Sequence, residues 1–130
     1  MRVRSVLTAL CAAVCAAVLT PPAAVGSVTV NEYTLTLSGF DHTWSRAIRL
    51  RCPAGPEGHY HPRGEQACAD LAGVRGNLDR MRPSPTRCAP EYGRLVATLS
   101  GSYAGRSVGW NRAFRDECTL YTATHAVFRF

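Results

Sequence analysis

The sequence predicts an α+β fold: a five-stranded antiparallel sheet covered on one face by one long helix, with two disulfides. Three observations lead there. Short segments alternate apolar and polar residues, one segment instead carries its apolar residues at steps of four and three, and four cysteines lie beyond the first 26 residues. Alternation places every second side chain on one face of a strand, whereas a four-three step places them on one stripe of a helix. Strands with only one apolar face suit an antiparallel sheet covered on one side, and an amphipathic helix supplies the cover.

In the first strand Tyr33, Leu35 and Leu37 alternate with Thr34, Thr36 and Ser38; in the second, Ile48, Leu50 and Cys52 alternate with Arg49 and Arg51. Ala67, Leu71, Val74, Leu78 and Met81 then share one helical face, which predicts a helix from about 65 to 81. Pro83 and Pro85 prevent its continuation and start an extended segment. Leu95, Ala97 and Leu99 open the third strand, and Val108, Trp110 and Phe114 mark the fourth, with Gly101 and Gly105 punctuating the turn between them. A short second helix fits near 117–122. The chain is expected to end as a fifth strand with Ala126, Phe128 and Phe130 inward.

The N-terminus sets the compartment. Arg2 and Arg4 precede a largely apolar run from Val6 to Thr20, followed by Pro21, Pro22 and small residues up to Gly26. This pattern reads as a secretory signal peptide over 1–26, with Ala24 as the other cleavage position. The run of about 15 residues is short of the roughly 20 needed to span a membrane, so no membrane partner or anchor is expected. Leu10 stands before Cys11 where lipid attachment wants a small residue, so Cys11 reads as apolar filler. The remaining domain, 27–130, is expected to be extracellular. There Cys52, Cys68, Cys88 and Cys118 are expected to be paired, with no free thiol. Four cysteines allow three pairings. Joining nearest neighbours closes loops of about 16 and 30 residues, contributing roughly 3 and 3.6 kcal/mol on chain entropy. No C-x2-C or C-x4-C spacing supports zinc.

All fifteen basic residues are arginine. Without the leader, thirteen stand against nine acids, a net charge of about +4 that favours an acidic partner or surface. They are scattered along strands and lack the interleaved aromatics of single-strand nucleic-acid binders, so no nucleic acid is expected. His59 and His61 are spaced for a loop metal site but have no third ligand identifiable in sequence; neither a metal nor a cofactor is expected. A nuclease would use Glu91 with His125 or His42 and an arginine. Glu91 sits beside Pro90 in an exposed loop, where its carboxylate behaves ordinarily, and no serine lies in a G-x-S-x-G motif. The chain therefore does not read as an enzyme. The stretch Arg87-Cys88-Ala89-Pro90-Glu91-Tyr92 reads instead as a loop stiffened by a bridge and a proline for a partner to grip, since a rigid loop does not consume binding energy in being ordered.

Several ordered stretches resemble the Streptomyces-type subtilisin inhibitors: residues 50–58 (LRCPAGPEG), His61-Pro62 followed by 67–72 (ACADLA), residues 108–118, and the terminal Val127-Phe128-Arg129-Phe130. The resemblance covers essentially the whole of 27–130. It implies the sheet-and-helix fold, bridges 52 to 68 and 88 to 118, a homodimer paired through its sheets, and inhibition of secreted serine proteases by a substrate-like loop. In that family the reactive bond lies two residues past the third of these cysteines. Carried over, Arg87 is P4, Cys88 P3, Ala89 P2, Pro90 P1, Glu91 P1′ and Tyr92 P2′. Relatives place proline or a similar residue at P2 and methionine, lysine or arginine at P1; this chain has Ala89 and Pro90. Gly93 and Arg94 likewise replace an acid and a proline. Proline lacks the N–H that substrate-like binding uses at P1, which argues against ordinary trypsin-like inhibition. The other reading is a non-inhibitory or differently targeted cationic binding module on the same scaffold.

Overall fold

The computed structural model describes residues 21–55, 61–90 and 92–130; most of the apolar leader, Pro56-Glu57-Gly58, His59 and Glu91 lie outside the described residues. Alternation produces strands where it was read. β1 (Asn31–Gly39) buries Tyr33, Leu35 and Leu37 and pairs antiparallel with both β2 (Ser45–Cys52) and β3 (Leu95–Tyr103). β3 in turn pairs with β4 (Arg106–Phe114) through a turn at Ala104 and Gly105, both at positive φ. Among the described residues the sheet thus has four strands, in the order β2-β1-β3-β4, rather than the five expected.

The expected fifth strand is replaced by a folded tail. Ala126, Val127 and Phe128 are all buried, and three consecutive buried side chains are incompatible with a strand that has one solvent face. His125 turns the chain at φ 54°, and the Val127 and Arg129 N–H groups donate back to the Thr124 and Ala126 carbonyls. The tail therefore crosses the core as turns, with the Phe128 ring between Trp110 at 5.8 Å and Phe130 at 6.2 Å. His61 holds it from the other side: its Nε2 donates to the Val127 carbonyl at 2.9 Å while Nδ1 accepts from the Arg63 N–H at 3.0 Å. Both ring nitrogens of this buried histidine are engaged, which removes it as the metal ligand that its pairing with His59 suggested.

The long helix is also shorter than its stripe. α1 (Gly64–Gly73) ends where Arg75 and Gly76 take positive φ, and a 3-10 turn at Leu78–Arg80 follows, capped by Asn77. Gly76 is required there, because a Cβ would stand 2.9 Å from the Tyr103 Cβ. The stripe survives the break, with Ala67, Leu71 and Leu78 buried and Met81 packed against the core. The 3-10 turn aims Asp79 at β4, where its Oδ1 accepts from Trp110 Nε1 and Arg112 Nη2, each at 3.0 Å. α2 (Glu117–Thr124), expected near 117–122, completes the cover with Leu120.

Gly101 lies within β3 rather than in the hairpin turn. A Cβ there would overlap the Glu32 carbonyl oxygen and stand 2.8 Å from the Tyr33 Cα, both on β1. Because the obstacle is backbone, β1 must separate from β3 to admit it. Gly101→Ala is expected to lower unfolding free energy by roughly 1–3 kcal/mol, the usual cost of overpacking. Urea unfolding checks this; an unchanged midpoint would contradict the close strand approach.

Candidate functional site

The two bridges join Cys52 to Cys68 and Cys88 to Cys118, with Cα separations of 5.5 and 5.7 Å. The second bridge leads to the stretch singled out by sequence, and the helix holding its far end is built with care. Asp116 accepts from the Thr119 N–H at 2.7 Å, and its own N–H donates to Thr119 Oγ1 at 3.4 Å, a reciprocal cap that satisfies the open end of α2. Arg115 Nε adds a bond to Asp116 Oδ2 at 2.8 Å. The Thr119 N–H first, then the Arg115 guanidinium, hold the Asp116 carboxyl below the ordinary carboxylate range.

Residues at 118, 122 and 125, at helical spacing, fasten the segment that runs into the loop. His125 Nε2 donates to the Arg82 carbonyl at 2.9 Å, the Ser84 N–H donates to the Thr122 carbonyl at 2.8 Å, and Cys118 is bonded to Cys88. His125 is backed by Asp70 of α1, whose Oδ1 lies 3.9 Å from Nδ1 and whose Oδ2 accepts from the Ala126 N–H. The histidine that a nuclease would use as an acid or base thus braces a backbone carbonyl. His42, the other candidate, sits at φ 59° in the turn between β1 and β2.

Downstream, the Arg94 carbonyl accepts from the Phe40 N–H at 3.0 Å, and the Arg94 guanidinium lies 4.1 Å above the Phe40 ring. Leu95 then enters β3 opposite Phe114. Residues 89–93 therefore run between two fixed points, Cys88 and Arg94. Ala89, Pro90 and Gly93 are exposed, Tyr92 is fully so, and Arg87 is exposed on the approach. The structure brings Arg87, Cys88, Ala89, Pro90 and Tyr92 into one projecting stretch, while Glu91 lies outside the described residues. Sequence reading missed the fasteners Asp116, Thr122, Arg94 and the role of His125. Only the Asp116-to-Thr119 spacing ahead of an apolar helix carried a readable signal, since the others act through backbone groups of distant segments.

The cap gives the site an acid sensitivity of known sign. The Asp116 carboxyl is depressed in the folded chain, so its stabilising contribution is complete above the unfolded value of about 4 and is lost as pH falls through the folded value. Asp116→Asn is expected to weaken the domain near neutrality and to flatten its loss of stability below about pH 4. Urea midpoints across that range measure the slope; identical slopes for both proteins would contradict it.

Comparison with known proteins identifies relatives of this chain. A family model, subtilisin inhibitor-like, matches residues 29–116. The subtilisin inhibitor of Streptomyces albogriseolus is 37% identical over 86 residues, 65% of this chain, and the match spans 59% of that relative's own length. A trypsin inhibitor of Streptomyces longisporus is 31% identical over 130 residues, covering 95% of this chain and 90% of the relative. In structure, sermetstatin of Streptomyces caespitosus, solved in complex with subtilisin of Bacillus licheniformis, superposes with a TM-score of 0.61 at 24% identity, over 78% of this chain and 100% of that one. With the family model covering most of the domain and a relative matched along nearly its full length, the chain belongs to the subtilisin inhibitor-like family.

Proposed function

We propose that this chain is a secreted inhibitor of serine endopeptidases that enters the protease active site with the loop Arg87 to Tyr92, presenting the bond between Pro90 and Glu91. The observation that carries the reading is a stretch whose described residues Ala89, Pro90, Tyr92 and Gly93 are exposed, yet which is fastened at Cys88 and Arg94, within a domain of a family whose relatives include inhibitors of subtilisin and of trypsin. A protease takes such a loop as a substrate, with Pro90 in its specificity pocket. If the bond is cut, Cys88 on one side and β3 on the other hold the new ends together, so religation competes with release. Nothing in this step needs a cofactor or a catalytic group of the inhibitor.

The leader over 1–26 is removed in this reading. Residues 21–30 are exposed and carry neither helix nor strand, so cleavage after Gly26 leaves β1 untouched. Among the described residues no helix is long and apolar enough to cross a membrane.

A homodimer paired through the outer sheet face is part of the proposal. The middle of that face carries side chains small enough for a second sheet to approach, Thr34, Thr36, Thr98 and Ala113 among them, with Arg49 and Arg51 of β2 at its edge. Light scattering of the domain 27–130 at micromolar concentration is expected to give twice the chain mass; a monomer throughout would reject the dimer.

Titration of subtilisin, a trypsin-like protease and a post-proline protease with the same domain tests the function. Stoichiometric inhibition of at least one is expected. No inhibition of any would leave the same scaffold as a cationic binding module.

A further inference from the structure

Apart from three valines in the N-terminal segment, the exposed large hydrophobic side chains among the described residues are Phe40, Trp44 and Tyr92, at 48%, 42% and 101%. They come from two distant parts of the sequence, yet all three line one groove of about 570 Å³ between the β1–β2 turn and the downstream half of the loop. Scattered apolar residues need no explanation; the gathering of every one outside the N-terminal segment beside the proposed binding loop does.

The turn is also held in place. The Gly39 N–H donates to the Trp44 carbonyl and the Phe40 N–H to the Arg94 carbonyl, each at 3.0 Å. Asp41 Oδ1 accepts from both the Thr43 N–H and its hydroxyl, and the Trp44 indole lies so close over Gly39 that a Cβ there would stand 2.7 Å from Nε1. Rings fixed in this way offer contact area at small entropic cost.

We propose that the β1–β2 turn is a second contact surface for the bound protease, with Phe40 and Trp44 receiving an apolar patch on the rim of the enzyme's leaving-group side. The inference rests on the inhibitor reading above and extends it. The occupant follows from continuity: Tyr92 lines the groove and stands two residues past Pro90, so an enzyme seated on the loop also covers the turn. A loop of roughly six residues supplies only part of the roughly 800 Å² per partner that stable complexes bury, and the two rings add to it.

Subtilisin is the probe. The double variant Phe40→Ala with Trp44→Ala is expected to raise its inhibition constant at least tenfold, chiefly through faster dissociation, with association changed by no more than about threefold. Thermal unfolding is expected to shift by only a few degrees, since both side chains are surface residues. In the parent complex, burial moves the Trp44 emission to shorter wavelength, and Trp44→Phe, which retains most of the affinity, abolishes that shift. Pro90→Met is measured alongside. If Pro90→Met changes inhibition while the double variant matches its parent, the second surface is overturned and the loop reading stands. If the double variant alters only self-association, the groove belongs to a second copy and the proposal is wrong. If subtilisin is inhibited by neither parent nor Pro90→Met, the second surface falls, and the inhibitor reading falls with it when the trypsin-like and post-proline proteases are uninhibited as well.

Discussion

Replacing Cys88 and Cys118 together with serine is expected to turn an inhibitor into a substrate. The bridge closes a loop with a sequence separation of 30, whose removal costs about 3.6 kcal/mol on the chain-entropy estimate. At the 4–8 °C per kcal/mol typical of a domain of about 100 residues, the midpoint falls by roughly 15–30 °C. The local effect is sharper. Without the bridge the last upstream fastening is the Ser84 N–H on the Thr122 carbonyl, so the new carboxyl end at Pro90 hangs on six residues rather than two. Each doubling of a flexible tether adds only about 0.6 kcal/mol to the cost of bringing ends together, but the loop also loses the rigidity that keeps its bond from full accommodation in the protease. Subtilisin incubated with the double variant should regain activity as the loop is cleaved, whereas the parent remains intact and inhibitory. Calorimetry gives the midpoint and mass spectrometry follows the cut. A double variant that stays whole and inhibits as well as its parent would show that the Arg94 and Ser84 fastenings suffice.

What was legible in the sequence follows the range of the interaction responsible. The four strands were readable because alternation is local. Tyr33, Leu35 and Leu37 face one way for reasons contained in nine residues, and the missed cap of α2 is as local, Asp116 reaching only to Thr119. The overlong helix failed at Gly76, where the stripe of Leu71, Val74 and Leu78 continued through a break imposed by Tyr103 of β3, far along the chain. Ala126, Phe128 and Phe130 alternate, and the intervening Val127 was the sign that the segment lies inside rather than across a sheet edge. The bridges came from family resemblance, since four cysteines left three pairings open. At the site, the cysteine and prolines marked the loop, but its fasteners are backbone carbonyls of Arg82, Thr122 and Arg94, which no residue type announces. Nothing local to Phe40 and Trp44 announces a groove; the fold sets them beside Tyr92.

Exchanging Pro90 is expected to change specificity while leaving the scaffold alone. Pro90 is exposed, two residues past the bridged Cys88, so a longer side chain meets no protein atom it must displace. Two features restrain its use by ordinary proteases. It lacks the amide N–H that substrate-like binding places at P1, a loss of about 0.5–1.5 kcal/mol net and more when the enzyme's acceptor is left buried. Its ring also underfills a pocket shaped for a long side chain. Against this, Pro90 holds Ala89 extended, so a replacement gives up some stiffness that the bridge and the Arg94 fastening retain. The gain should dominate. Pro90→Met is expected to strengthen subtilisin inhibition, and Pro90→Arg to create or strengthen trypsin inhibition, each by tenfold or more, which at about 1.4 kcal/mol per decade falls within the range of a hot-spot residue. Arg87→Ala should matter less, because Arg87 precedes a bridged cysteine and the proposed reactive bond lies beyond it, between Pro90 and Glu91. Inhibition constants for the three variants decide the matter. Loss of activity in Arg87→Ala, with both Pro90 exchanges silent, would place the reactive bond elsewhere and reject Pro90 as the residue read by the protease.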